Sequence, residues 1–191
     1  MIEYIPIFEL PVLIIIVIIR SIMLKRQGIK AMVFGVTNKT DFLLPPIVFF
    51  FFYGIIASVF DLPFPLIFKS YFFDTPFLMY IIAIVLCTAS LIFFASAIIT
   101  FGKSFRVGID ENTKNQLITK GPFAISRNPI YVSMITFIIG LFFAYPNITS
   151  SVFLIFMLIV IHRQILREEV FLKKHYGEEY ENYFKKVRRY L

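Results

Sequence analysis

Residues 77–101 read FLMYIIAIVLCTASLIFFASAIITF, and no charged side chain interrupts them. As a helix this run is roughly 37 Å long at about 1.5 Å per residue. It therefore exceeds the ~30 Å hydrocarbon thickness of a bilayer and crosses with tilt. A helix apolar on every side is buried either in a large protein core or in lipid. The chain has only 191 residues, of which 59% are hydrophobic and 25 are phenylalanine. A soluble domain of that size lacks the polar surface to cover such a core, so the solvent for this run is the membrane.

Other apolar blocks flank it on both sides. Towards the N-terminus a first span is expected from about Ile5 to Leu24, built on the run Pro11–Ile19 and ending in the basic residues Arg20, Lys25, Arg26 and Lys30. Glu3 and Glu9 precede that run in place of a basic leader, so the block is expected to be retained rather than cleaved. A second span is expected over Phe42–Phe60, with Pro45 and Pro46 in its first turn, where a missing amide costs little. Asp61–Pro76 reads as a hydrophobic interfacial loop. Beyond the central run, Gly102–Asn128 is polar and carries Lys103, Arg106, Lys114, Lys120 and Arg127. A fourth span over Pro129–Tyr145 and a fifth from Ser150 to about Leu166 are joined by the turn Pro146–Thr149 as an antiparallel hairpin.

The expected fold is thus an all-α integral membrane protein with five transmembrane helices. Residues 1–191 form a single membrane domain. Residues 1–101 form a scaffold of three spans, and 102–191 hold the polar segment, the hairpin and a charged tail. The linkers after spans one and three and the tail are basic, whereas those after spans two and four are nearly free of Lys and Arg. Positive-inside asymmetry then puts the N-terminus outside and the C-terminus in the cytoplasm. The net charge of +7 sits between and after the apolar blocks, which fits anionic headgroups of membrane lipids and not nucleic acid. Cys87 is the single cysteine, so no intramolecular disulfide forms.

Two polar islands stand out, and both fall on the cytoplasmic side of this topology. The first is Leu117–Tyr131, LITKGPFAISRNPIY. Gly121-Pro122 makes a turn, and Asn128-Pro129 holds Asn128 extended before the fourth helix. Amides at such a helix start suit an anion, with Arg127 as a fixed cation beside them; an ordinary surface loop with Arg127 on headgroups fits equally. The second island is His162–Glu169, HRQILREE. Gln164 and Glu168 share one face, and Arg163 and Arg167 another. Alone it also fits a solvated helix end. His162, His175 and Cys87 are too scattered for a metal site. In the tail, Gly177 is expected to break the helix. Tyr180, Tyr183, Phe184, Val187 and Leu191 then follow helical spacing, which predicts an amphipathic helix either on the bilayer or packed on the protein.

Taken together, Leu117-x-Thr119-x-Gly121-Pro122-Phe123, Arg127-Asn128-Pro129-x-Tyr131, Glu168-Glu169-x-x-Leu172 and Tyr176-Gly177-Glu178-Glu179-Tyr180 with Tyr183 resemble the isoprenylcysteine carboxyl methyltransferase family. Phospholipid methyltransferases are its wider relatives. The resemblance covers about Phe105 to Val187. Asn128 stands where the family usually has His, and Phe123 where Tyr is frequent. The resemblance implies S-adenosylmethionine as cofactor, with Gln116, Leu117, Ile118, Phe123, Asn128, Pro129, Ile130, Tyr131 and Glu168 as contacts. Gly121 and Arg127 join them through the turn and cation already described. It also implies an arginine ahead of the acidic pair that orients a substrate carboxylate. Arg163 is favoured for this, with Gln164 and Arg167 as the neighbouring candidates.

The implied catalytic residues are therefore Arg163 and Glu168. The implied substrate is a lipophilic carboxylate or lipid entering from the bilayer. Transfer of a methyl group to a carboxylate needs positioning and water exclusion but no base. That agrees with the absence of a triad, a phosphate loop or a Gly-rich dinucleotide motif. The alternatives are phospholipid N-methylation, an NADPH-dependent sterol-type reductase and a non-catalytic scaffold. Val132-Ser133 replaces the Gly-Glu pair expected of the reductase. Glu168 is expected to face the cofactor and Glu169 to point elsewhere, since the two are about 100° apart on a helix.

Overall fold

The computed structural model describes residues 2–28, 44–60, 62–63, 74–102 and 117–191. The expectations for Lys30, Lys103, Arg106, Lys114 and Gln116, and for most of the Asp61–Pro76 loop, fall outside these residues. The described residues are helical apart from one isolated parallel bridge between Ser126 and Arg188. The helices are α1 (Ile5–Arg26, led by a 3-10 turn Ile2–Tyr4), α2 (Leu44–Val59), α3 (Phe77–Phe101), α4 (Pro122–Ile125), α5 (Pro129–Ala144), α6 (Ile148–Tyr176) and α7 (Glu178–Lys186).

Three helical stretches, Ile2–Arg26, Phe77–Phe101 and Ile148–Tyr176, are long and apolar enough to cross a membrane. Pro46–Ala57 and Pro129–Ala144 are shorter apolar helices. Large apolar side chains stand on the outside: Ile99 is 74% exposed, Phe49 72% and Ile92 66%. In water that surface is a liability, whereas in lipid it is ordinary. These features are those of an all-helical membrane protein.

The core lies where α3 crosses α5. A Cβ added at Gly140 would meet Cys87 Sγ at 2.5 Å and the Ala83 carbonyl oxygen at 3.2 Å, so only hydrogen fits there. Small residues at a crossing let two backbones approach, the usual basis of helix packing in lipid. Cys87, Ala83 and Leu141 are fully buried there. α2 packs on α6 through Phe51 and Phe153, whose rings stack. α1 runs parallel to α3: Thr88 donates to Glu9 Oε1 (2.7 Å), and further along Leu24 packs with Phe94 and Ile98. Glu9 thus lies within α1, not ahead of its membrane-facing part.

The turn between α5 and α6 is a capping box. Asn147 Oδ1 accepts from Ser150 N–H (2.7 Å), and Ser150 Oγ accepts from Asn147 N–H (2.9 Å). These bonds satisfy amides that a helix start otherwise leaves open. α6 then continues to Tyr176, well past the Leu166 expected as the end of the fifth span, because nothing stops it before Gly177. Gly177 takes φ 54°, a left-handed value that glycine adopts without strain, and divides α6 from α7.

α7 keeps its amphipathic character but packs on the protein. Tyr180 and Tyr183 are buried, the helix ends at Lys186, and Val187 is extended. The helical phase projected through Val187 and Leu191 is therefore corrected, since the tail leaves the helix to pair with Ser126 and Arg127. The C-terminal end of α1, the end of α3, α4, the start of α5 and the polar half of α6 all gather at one end of the bundle.

Candidate functional site

The first island is seated on the end of α3. Gly121 has φ 59°, and a Cβ there would come within 3.1 Å of Thr100 Oγ1, so this turn is both left-handed and closely packed. Pro122 opens α4, a short helix absent from the sequence reading. It buries Phe123 against Phe101, with ring centroids 5.1 Å apart. Residues 126–128 then run extended beside the tail. Arg127 N–H donates to the Arg188 carbonyl (2.9 Å), and the Arg189 carbonyl accepts from Ser126 Oγ (3.2 Å) and Asn128 Nδ2 (3.1 Å). Asn128 N–H donates to Ser126 Oγ (3.0 Å). Pro129, itself buried, starts α5.

One turn into α5, the Tyr131 hydroxyl donates to Glu168 Oε1 of α6 at 2.5 Å. Gln164 Nε2, one turn earlier on α6, donates to the same oxygen at 2.9 Å. Two donors on Oε1 fix the carboxylate's orientation and leave Oε2 with no protein partner among the described residues. Leu117, Ile118 and Ile130 are half-buried.

Glu169, the next residue, is buried and points the other way. Its Oε1 lies 3.1 Å from Arg127 Nη2 and its Oε2 lies 2.8 Å from Arg189 Nη2, with Arg189 Nε 3.1 Å from both oxygens. Arg127 also donates from Nη1 to the Phe184 carbonyl (3.1 Å) and stacks its guanidinium 3.7 Å over the Phe184 ring. Hydrogen bonding to Glu169 holds the Arg189 guanidinium above its usual value. Tyr183 donates to the Phe123 carbonyl (2.7 Å), and burial pushes its hydroxyl up, so it stays a donor at neutral pH. Burial, followed by the nearby Glu169 charge, likewise pushes Tyr180 up to about 12. The Tyr190 hydroxyl sits 2.6 Å from His162 Nδ1. These contacts clamp the tail across the first island.

The structure therefore separates the sequence-derived candidates. Tyr131, Gln164 and Glu168 form one cluster. Arg127 and Asn128 spend their side chains on the clamp, so the fixed cation expected at Arg127 is engaged by Glu169. Arg163 and Arg167 are exposed. At about 100° per residue Arg163 stands about 140° from Glu168 around α6, and Arg167 about 100°. Neither shares the Glu168 face; of the three neighbouring candidates, Gln164 is the one that bonds to Glu168. Ser126, Arg189 and Tyr190 were missed. Their only signal was the basic, aromatic end of the tail, which had been read as a helix face.

A family model for phospholipid methyltransferase matches residues 78–179, just over half of the chain. This chain belongs to the phospholipid methyltransferase family. The match runs from the start of α3 into α7, so it includes Tyr131, Gln164, Glu168 and Glu169 and leaves α1, α2 and the tail strand outside. The chain is also 33% identical over 98 residues to a protein-S-isoprenylcysteine O-methyltransferase of Schizosaccharomyces pombe, covering 49% of this chain and 41% of that protein. It is 32% identical over 94 residues to a probable protein-S-isoprenylcysteine O-methyltransferase of Oryza sativa subsp. indica, covering 48% and 49% respectively. The matched region thus spans less than half the length of these curated relatives. No solved structure matches the chain.

Proposed function

We propose that this protein is an integral membrane methyltransferase that uses S-adenosylmethionine to methylate a carboxylate on an isoprenylcysteine-like or other lipophilic molecule. The observation that carries the reading is the Tyr131–Gln164–Glu168 cluster, brought together by α5 and α6 inside the family-matched segment. The similarity to protein-S-isoprenylcysteine O-methyltransferases supports O-methylation over N-methylation.

The donor set fits this cofactor, because Glu168 Oε2, without a protein partner among the described residues, can accept from an ammonium or a ribose hydroxyl. The cofactor, when bound, supplies an electrophilic methyl group on a sulfonium. The protein supplies position. Tyr131 and Gln164 hold Glu168 in one orientation, Phe123 and Pro129 wall the approach, and the tail clamp fixes the loop that carries Leu117, Ile118 and Gly121. A carboxylate acceptor is already ionised at neutral pH, so effective molarity and water exclusion suffice and no base is required. A lipid amine must lose a proton; His162, the nearest imidazole on α6, is engaged with Tyr190.

The proposal includes five membrane-crossing helices, with α2 and α5 short enough to need local thinning or tilt of their neighbours. It places the N-terminus outside and the site on the cytoplasmic face, following the Lys and Arg asymmetry. The test is transfer of a labelled methyl group by purified protein to a panel of S-farnesylcysteine, a fatty acid and phosphatidylethanolamine. Base-labile methyl ester on the first two supports the reading; methylation of the amine alone replaces it with phospholipid N-methylation.

A further inference from the structure

Among the described residues, Arg163 and Arg167 stand off the Glu168 face of α6 and Arg127 and Arg189 are engaged by Glu169. The unmatched helix α1 offers another arginine. Glu9, Leu13, Ile16, Arg20 and Leu24 recur at three- and four-residue spacing, so they share one stripe. Glu9 meets Thr88 and Leu24 meets Phe94 and Ile98, which turns that stripe, and Arg20 within it, towards α3. The same end of α1 packs against Ile130 and Met134 of α5, the residues on either side of the Tyr131 turn.

Within this packing, Arg20 Nε and the neighbouring Ser21 Oγ are both buried and both lack a hydrogen-bond partner. Leaving buried donors unmade is destabilising, and native proteins keep few of them. Arg127 Nε is also unpartnered, but both of that residue's Nη groups are already used. Nε–H together with a terminal N–H is the side-on fork by which arginine grips a carboxylate. An intramembrane arginine facing the bundle interior is costly and points to a polar ligand.

We infer that Arg20 receives the carboxylate of the lipophilic substrate at the end of α1 that packs on the start of α5. The inference rests on the methyltransferase reading and assigns its substrate-positioning residue.

The test compares binding of S-farnesylcysteine and its methyl ester to the full-length protein in nanodiscs, by titration without turnover. The expected wild-type preference for the acid is at least tenfold. Arg20→Met is expected to bring acid and ester within twofold of each other, with S-adenosylmethionine affinity unchanged. Arg20→Lys, which keeps the charge but not the fork, is expected to lose at least threefold of the preference and serves where the Met variant does not fold. Arg163→Met is expected to keep the preference. An unchanged acid preference in either folded Arg20 variant overturns the inference, including the case in which Arg20 only grips lipid phosphate; so does a wild type that binds acid and ester alike. Failure of the wild type to bind S-adenosylmethionine instead overturns the methyltransferase reading on which the inference rests.

Discussion

Residues 168 and 169 carry the same carboxylate to different partners, because adjacent helical positions are about 100° apart. Glu168 turns to Tyr131 and Gln164, and Glu169 to Arg127 and Arg189. Their variants should therefore fail differently. Glu168→Gln is expected to weaken S-adenosylmethionine binding by about tenfold to a hundredfold, the effect of losing a charged hydrogen bond of about 1.5–3 kcal/mol. Its melting temperature should stay close to wild type. Glu169→Gln strips the counter-charge from a buried guanidinium, and loss of one partner from such a pair typically costs about 3–5 kcal/mol. It should lower the melting temperature in detergent while the protein that remains folded keeps its donor affinity. Calorimetric titration and a thermal scan of both variants separate the two effects. The phase of Glu168 with Gln164 was legible from their spacing of four. The partners of Arg127 and Asn128 were not, because they come from residues 42 to 61 positions later, and no local pattern encodes a tail carbonyl as an acceptor.

The helices themselves were largely legible, since uninterrupted apolar runs bounded by Pro, Gly and charge define them whatever packs around them. α3 spans Phe77–Phe101, as its composition implies, and Gly177 ends α6 as expected. The reading departs from the structure where tertiary contacts override local signals: α4 stands inside an expected loop, and the tail abandons helical spacing to pair with residue 126. Contacts between elements supply two tests. Gly140→Ala places a methyl group against Cys87 Sγ, and over-packing of that kind costs about 1–3 kcal/mol. It should lower the melting temperature, and Cys87→Ala in the same chain should recover part of the loss. Tyr183→Phe removes the bond from α7 to the Phe123 carbonyl, worth about 1 kcal/mol. It should raise amide hydrogen exchange in residues 121–128 and leave α3 unaffected.

At the scale of the whole molecule, the proposed orientation rests on the Lys and Arg asymmetry of the sequence and is open to direct test. Cys87 is the single cysteine and is fully buried, so it gives a silent background for accessibility labelling. In sealed inverted vesicles, Lys174→Cys is expected to react with a membrane-impermeant maleimide, and Ile148→Cys only after the vesicles are opened. The reverse pattern would put the site on the other face. The central claim, however, is that α5 and α6 build a site for a methyl donor. Isothermal titration of the purified full-length protein with S-adenosylmethionine addresses it most directly. Saturable one-to-one binding that weakens at least tenfold in Glu168→Gln is the predicted result; no binding to the folded wild type at millimolar cofactor would contradict it.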